Sequence, residues 1–233
     1  MMPILELMTS SGLGSLLGMR HALEPDHLVA VSTLVSGETG GRKAAWLGVC
    51  WGLGHTLTLL GAGAVLVLLR AQMPAGASAL FELGVALMLT GLGVRAIYQA
   101  VRLGSDGPVR THHHGRVVHA HHATAPHVHI GRWTLARRPL LVGAMHGLAG
   151  SGALTALVLT TLTSTAARLA YMGLFGLGST AGMAALSGAL GWPLARAGSR
   201  RSVTRGIGFA VGVLSTGLGI AWGYPIVAQL FSL

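Results

Sequence analysis

Long apolar stretches recur along this chain, and they limit what it can fold into more than any other feature. A helix needs about 20 apolar residues to cross the hydrocarbon layer of a bilayer. Only 9% of the residues are charged and 52% are apolar, which leaves too little polar surface to cover a soluble globule. The sequence therefore predicts an all-α membrane protein with six transmembrane helices. The six stretches are residues 4–35, 44–69, 78–102, 139–164, 168–194 and 206–230.

The basic residues sort by membrane side, although a net charge of +10 could by itself suggest a nucleic-acid partner. One side carries only Arg70 and Arg168. Cytosolic connections are enriched in Lys and Arg. We therefore expect no nucleic-acid partner, and an inner-membrane protein with both termini outside and the connection between spans three and four in the cytosol. Twelve basic residues lie in or beside the connections after spans one, three and five: Arg42, Lys43, Arg102, Arg110, Arg116, Arg132, Arg137, Arg138, Arg196, Arg200, Arg201 and Arg205.

Three short segments of the first half recur in the second half, in the same order and at offsets of 125, 124 and 126 residues. A unit with three spans ends on the opposite side of the membrane from its start, so the second unit would be inverted relative to the first. Inverted repeats are a recurring architecture of secondary transporters. We predict two inverted three-helix repeats, residues 1–103 and 139–233, joined by residues 104–138. The matching segments are 18–23 with 143–148, 51–56 with 175–180, and 90–93 with 216–219.

The first predicted span carries a polar cluster near its middle, Arg20-His21-Ala22-Leu23-Glu24-Pro25-Asp26-His27. Ionisable groups at membrane depth are costly and mark functional sites. On an unbroken helix, His21 and His27 would lie about 120° apart around the axis. Pro25 lacks the N–H that the helix needs and disfavours a helical conformation for the residue before it. We therefore expect the helix to kink or unwind here, as helices do where carriers bind ions.

The residue types in and near this cluster favour a divalent transition metal. Neutral imidazole suits Ni²⁺, Co²⁺, Cu²⁺ and Zn²⁺, and a carboxylate compensates the charge of the ion. The only cysteine is Cys50, which argues against a thiolate site for Cu⁺ or a paired-cysteine redox site. The alternative is a hydrogen-bonded helix cap with an intramembrane ion pair. The expected ligands are His21, Asp26, His27 and His55. Residues expected to orient them, balance charge or contribute from the second half are Arg20, Glu24, His146, Ser151 and Ser179.

The connection between the halves is rich in histidine. Such tracts bind divalent transition metals. With few apolar residues the connection is expected to be disordered without metal, so it would capture, buffer or sense ions with low selectivity. A tolerated linker is the alternative. The histidines are His112, His113, His114, His119, His121, His122, His127 and His129.

The motif Arg20-His21-Ala22, followed by Asp26-His27, resembles the RHA-x3-DH signature of the nickel/cobalt transporter family. Gly54-His55-Thr56 is similar to the GH(S/T) motif of that family's following helix. The signature lies in the first apolar segment, as in the shorter branches that include urease-accessory-type and nickel-efflux-type members. The resemblance implies a metal carrier in which His21, Asp26, His27 and His55 are essential.

One part of the resemblance is incomplete. Where many members of the family follow a Gly-Leu-Gly with an acidic FDTATE stretch, this chain has Ser179-Thr180-Ala181-Gly182-Met183. Neither carboxylate of that stretch is present. The resemblance therefore leaves the affinity, the coupling ion and the direction of transport open.

These features together predict a secondary transporter that moves Ni²⁺ or Co²⁺ across the cytoplasmic membrane by alternating access, in the uptake direction. No P-loop motif is present for ATP hydrolysis. We expect no enzymatic activity and no permanently bound cofactor, only the transported ion. Expected partners are membrane lipid, the ion, a cytosolic metallochaperone or a second copy of the chain. The alternatives are an efflux carrier, a metal-sensing accessory membrane subunit and a membrane di-iron hydroxylase.

Overall fold

A computed structural model describes residues 2–35, 40–102, 110–114, 117–121, 127–130, 133–162, 164–197 and 201–231. This part of the chain forms seven helices and two small β-hairpins. The helices are α1 (Met2–His21), α2 (Pro25–Val35), α3 (Gly41–Leu69), α4 (Ala75–Arg102), α5 (Arg137–Thr161), α6 (Thr165–Ala197) and α7 (Arg201–Phe231). The strands are β1 (Arg110–His114), β2 (Val117–His121), β3 (His127–Ile130) and β4 (Trp133–Ala136).

Five helices, α3 to α7, are long and apolar enough to cross a membrane. They confirm five of the six predicted spans, and the protein is a multi-pass membrane protein. The first predicted span, residues 4–35, is not among the five in the described part of the chain. It is divided between α1 and α2, and α2, with only 11 residues, is too short to cross a membrane alone.

The division between α1 and α2 falls at the polar cluster, as the sequence predicts. Two tight turns end α1, in which Leu23 N donates to Arg20 O at 2.9 Å and Glu24 N donates to His21 O at 3.0 Å. Pro25 then begins α2, at a helix position where a missing N–H costs nothing. In the second half, α5 runs through the corresponding region without a break, because it has glycine at position 150 in place of the proline.

The helix packing is organised around α3 and α6, which lie against each other. Helix α3 also packs against α5, α6 also packs against α1, and α4 packs against α7. Helices approach closely in lipid where small residues face each other. A side chain at Gly48, for example, would overlap Met183 O and the backbone of Ala184 on α6. The glycines of this chain therefore bring the helices of the two halves together.

The contacts between α4 and α7 are reciprocal. A Cβ added at Gly93 of α4 would meet Thr216 of α7, and a Cβ added at Gly219 of α7 would meet Thr90 of α4. In the sequence repeat, Gly93 corresponds to Gly219 and Thr90 corresponds to Thr216. Each half thus offers the same glycine to the same threonine of the other half.

The contacts between α3 and α6 follow the same pattern. Gly52 lies against Thr180, and Gly176 lies against Thr56. The two threonines, which correspond in the repeat, also share a hydrogen bond of 3.0 Å between their hydroxyl groups. Helices α3 and α6, which correspond to predicted spans two and five, therefore meet through equivalent residues.

The histidine-rich connection contains two antiparallel hairpins, β1 with β2 and β3 with β4. His112 is the Cα partner of His119, and His129 is the Cα partner of Thr134. The expectation of a disordered connection is therefore wrong for the described residues. A period-two alternation of Val or Ile with His, as in 127–130, is a strand signal that outweighs the polar composition. His122 lies outside the described residues.

Candidate metal centre

Four histidines from four helices converge next to the break in the first span. His21 ends α1, His27 lies in the first turn of α2, His55 is in the middle of α3, and His146 is in α5. The ring centroid of His27 lies 4.5 Å from that of His21, 5.6 Å from that of His55 and 4.7 Å from that of His146. The break lets His21 and His27 face each other, which an unbroken helix would prevent.

The cluster is enclosed. His27, His55 and His146 are at most 3% exposed, and Asp26 is 6% exposed. The side chain of His21 retains 16% of its accessible surface. Buried polar groups normally have hydrogen-bond partners, because leaving them without one costs free energy. The partners of these nitrogens therefore indicate what the cluster can hold.

The five side chains form two overlapping groups of candidate metal ligands. The His21 set consists of His21, His27 and His55, and the His146 set consists of Asp26, His27 and His146. Within each set, the candidate ligand atoms lie within 4.8 Å of one another. Two atoms bound to one ion at an ordinary imidazole–metal distance lie at most about 4.2 Å apart. Small side-chain rotations would therefore bring either set onto an ion.

In three of the histidines, an oxygen acceptor faces Nδ1. Glu24 Oε1 lies 3.0 Å from His21 Nδ1, Asp26 Oδ1 lies 3.0 Å from His27 Nδ1, and Val142 O lies 2.9 Å from His146 Nδ1. An acceptor at Nδ1 selects the tautomer that carries its hydrogen there, which leaves a lone pair on Nε2. Metal-binding histidines are held in this way, with the second ring nitrogen bonded to a carboxylate or a carbonyl.

The Nε2 atoms of His21, His27 and His146 are buried and have no hydrogen-bond partner. His55, which is fully buried, has no partner for either ring nitrogen. A helix cap or an ion pair would account for the contact between Asp26 and His27, but not for these lone pairs. The donor set, four imidazoles and one carboxylate, suits a divalent transition metal of the Ni²⁺, Co²⁺ or Zn²⁺ type.

The remaining candidates differ in their surroundings. Glu24 is 54% exposed and lies against His21 on the outer side of the cluster. Arg20 is exposed. Ser151 is buried but donates its hydroxyl to Leu148 O of its own helix at 2.7 Å. Ser179, which corresponds to His55 in the repeat, is fully buried and its hydroxyl has no partner.

Trp51 is a residue of the centre that the sequence analysis did not single out. Its indole stacks on His27, and its ring centroid lies 5.6 Å from that of His146. It precedes His55 by four residues, which places both on one face of α3. This four-residue spacing from His55 was the sequence signal that could have identified Trp51. Seven of the eight histidines predicted to capture metal lie in the β-hairpins.

Comparison with known proteins gives one extended match. The chain is 30% identical over 221 residues to the urease accessory protein UreH of Bacillus sp. (strain TB-90), and the match covers 95% of this chain and 93% of that protein. No protein-family model matches the sequence. No solved structure matches it either.

Proposed function

Because the chain belongs to the family of the urease accessory protein UreH, we propose that it is a secondary transporter for Ni²⁺ or Co²⁺ in the cytoplasmic membrane. The family and the apolar helices together describe a membrane protein with a nickel-related accessory or transport role, and not an enzyme. The transporter function goes one step further. It assigns to this single chain both the binding of the ion and its passage across the bilayer.

One observation carries the proposal. Four imidazoles converge in the helix bundle, and each has at least one buried ring nitrogen without a hydrogen-bond partner. In a low-dielectric interior, unpaired polar groups are costly. A divalent ion would satisfy them and would in turn be charge-compensated by Asp26. A centre formed where a helix is broken inside a membrane domain is typical of a carrier's binding site.

The inverted repeat belongs to the same proposal. The reciprocal glycine–threonine contacts support it. A two-fold relation between the halves would turn the contact of Gly93 with Thr216 into that of Gly219 with Thr90. Residues that correspond in the repeat also meet directly, as Ser215 of α7 does when it donates its hydroxyl to Leu89 O of α4 at 2.8 Å. Rocking of one half against the other around the histidine cluster would expose the ion to each side in turn.

We propose uptake as the direction of transport. An accessory role for urease is served by nickel delivered to the cytosol, and the excess of Lys and Arg in the connections favours that side for the histidine-rich hairpins. There the hairpins would capture ions that leave the centre. Efflux remains the second direction to test, because low-selectivity capture can also feed an exporter.

The proposal is tested by the nickel content of cells. A bacterial strain without its own nickel carriers would express the intact chain or His27→Ala, at matched membrane levels, in medium with trace Ni²⁺. Uptake predicts more nickel in cells with the intact chain than in cells with the variant, and efflux predicts less. Equal nickel in both strains would contradict a carrier and favour an accessory or sensing subunit.

A further inference from the structure

His146 stands out because it joins the first-half cluster from the second half of the chain. It lies on α5, one turn after Val142 and next to Gly147, and is 3% exposed. The first-half motif, with His21, Asp26, His27 and His55, offers a complete ligand set without it. Yet the fold places the His146 ring 4.7 Å from the His27 ring and 5.6 Å from the Trp51 ring, inside the same enclosed cluster.

The hydrogen bonding of His146 prepares it to bind a cation. Its Nδ1 hydrogen is donated to Val142 O, so the lone pair is on Nε2. His146 Nε2 lies 3.5 Å from Asp26 Oδ2 and has no hydrogen-bond partner. A lone pair and a carboxylate oxygen repel each other unless a proton or a metal ion lies between them. Two ligands in a tetrahedral site lie about 3.4 Å apart, so the observed spacing leaves room for an ion.

His27 lies between the two histidines that the sequence repeat relates. His21 corresponds to His146 at the offset of 125, and their rings lie 4.5 Å and 4.7 Å from that of His27. The two histidines also face aromatic rings that correspond in the repeat, Phe175 and Trp51. His21 lies 5.3 Å from Phe175, and His146 lies 5.6 Å from Trp51. His27 itself has no histidine counterpart, because the repeat has Gly152 there.

The two sets differ in access. In the His21 set, the His21 side chain is 16% exposed and stands beside the 54% exposed Glu24. In the His146 set, the side chain of His146 is 1% exposed and that of Asp26 is 9% exposed. The His146 set is therefore the more enclosed of the two.

We infer that His146 completes a second metal site with Asp26 and His27, and that the transported ion passes between this site and the His21 set while His27 stays bound to it. This rests on the proposed carrier function. Because His27 is shared, the two sites hold one ion at a time. The step exchanges the imidazoles of His21 and His55 for the imidazole of His146 and the carboxylate of Asp26. His27 keeps the ion coordinated throughout, and Asp26 compensates its charge in the enclosed position.

The test uses the purified full-length protein with Ni²⁺ as the probe. Binding is measured by equilibrium dialysis, the imidazole ligands are counted by X-ray absorption, and flux is measured in liposomes. His146→Asn keeps a donor for Val142 O and removes Nε2, and His146→Gln serves as a second variant if the first does not fold. Thr155→Ala, at a buried residue of the same helix, controls for disturbed packing of α5.

His146→Asn is expected to bind one Ni²⁺ through the His21 set with affinity within about threefold of the intact chain, while flux falls at least tenfold. His21→Ala is expected to bind through the His146 set with two imidazoles. Adding His146→Asn to His21→Ala is expected to remove one imidazole ligand and to lower the affinity for Ni²⁺ at least tenfold. Thr155→Ala is expected to change neither ligand count nor flux by more than about twofold.

The inference is overturned if His146→Asn and His146→Gln transport like the intact chain, or if the ligand count of His21→Ala does not depend on His146. In that outcome the intact chain still binds and transports Ni²⁺, and the carrier function stands. If the intact chain itself neither binds nor transports Ni²⁺, the proposed function fails and this inference fails with it.

Discussion

The indole ring of Trp51 stacks on the imidazole of His27, with ring centroids 5.3 Å apart and ring planes inclined by 22°. Both rings are buried, and the Trp51 Nε1 has no hydrogen-bond partner. An ion bound to His27 would therefore lie within a few ångströms of an indole. Trp51 can report directly on occupancy of the centre.

We predict that Ni²⁺ and Co²⁺ quench the fluorescence of Trp51, because open-shell ions quench an adjacent indole efficiently. Zn²⁺, which has a filled d shell, is expected to compete for the site without comparable quenching. The measurement uses a chain in which the other four of the five tryptophans are replaced by phenylalanine. His27→Ala in the same background is the control, and quenching that persists in it would place the ion elsewhere.

The break at Pro25 is predicted to be required for metal affinity. Pro25→Ala restores a backbone N–H and lets α1 continue into α2, which would rotate His21 and His27 away from each other. The dissociation constant for Ni²⁺ is expected to rise at least about tenfold, equivalent to about 1.4 kcal/mol. Isothermal titration of the purified protein measures it.

Pro225→Ala is the matched control for that experiment, since Pro225 lies inside α7, which contributes no ligand to either set. Its dissociation constant for Ni²⁺ is expected to equal that of the intact chain. An unchanged affinity in Pro25→Ala, together with a measurable gain in helicity, would show that convergence of the two histidines does not depend on the break.

The close packing of α3 against α5 at Gly54 is predicted to be required for the thermal stability of the protein. A Cβ there would overlap Leu140 O and lie 3.1 Å from Ala144 N on α5. Overpacking of this kind costs about 1–3 kcal/mol, which exceeds the helix-propensity gain of about 0.5–1 kcal/mol from glycine to alanine. Gly54→Ala is therefore expected to lower the midpoint of thermal unfolding in detergent.

Gly61→Ala is the matched control on the same helix, because nothing lies within 4 Å of a Cβ at that position. It is expected to leave the unfolding midpoint unchanged or to raise it slightly. Equal effects of the two substitutions would contradict the packing of α3 against α5 that positions His55 beside His146.

The histidine-rich hairpins are predicted to affect the capture of metal ions and not the passage of ions across the membrane. Isolated two-stranded hairpins are marginally stable, so their histidines offer no rigid, selective geometry. Replacing the eight histidines of the connection, seven of which lie in the hairpins, by serine is expected to lower the number of Ni²⁺ ions bound per chain and the flux at trace metal. Flux at saturating metal and the preference among Ni²⁺, Co²⁺ and Zn²⁺ are expected to stay the same. A changed ion preference in liposome assays would contradict this.

Local chemistry explains what the sequence could predict of this protein. Apolar length located five spans to within a few residues at most ends, and Pro25 located the break in the first. The break in turn predicted that His21 and His27 meet, and the structure brings them together with His55. These features depend on neighbours in the chain, or on the dielectric cost of a polar group in lipid.

Features that depend on which helices pack together could not be predicted in the same way. The position of His146 beside Asp26 follows from the packing of α5 against α3, and the repeat suggested little because Ser151 and Gly152 replace the first-half ligands. The hairpins were misjudged from polar composition, although the alternation in 117–121 and 127–130 carries a strand signal. Composition and periodicity disagreed there, and periodicity was the better guide.

Ion flux into liposomes that contain only this purified protein tests the central claim most directly. The account predicts saturable accumulation of Ni²⁺ or Co²⁺ inside the liposomes, without ATP, and its loss in His27→Ala, which removes the ligand common to both sets. Thr155→Ala, reconstituted at the same density, is expected to transport normally. If the intact protein gives no flux with Ni²⁺, Co²⁺ or Zn²⁺, or if His27→Ala transports as well as the intact chain, the account is contradicted.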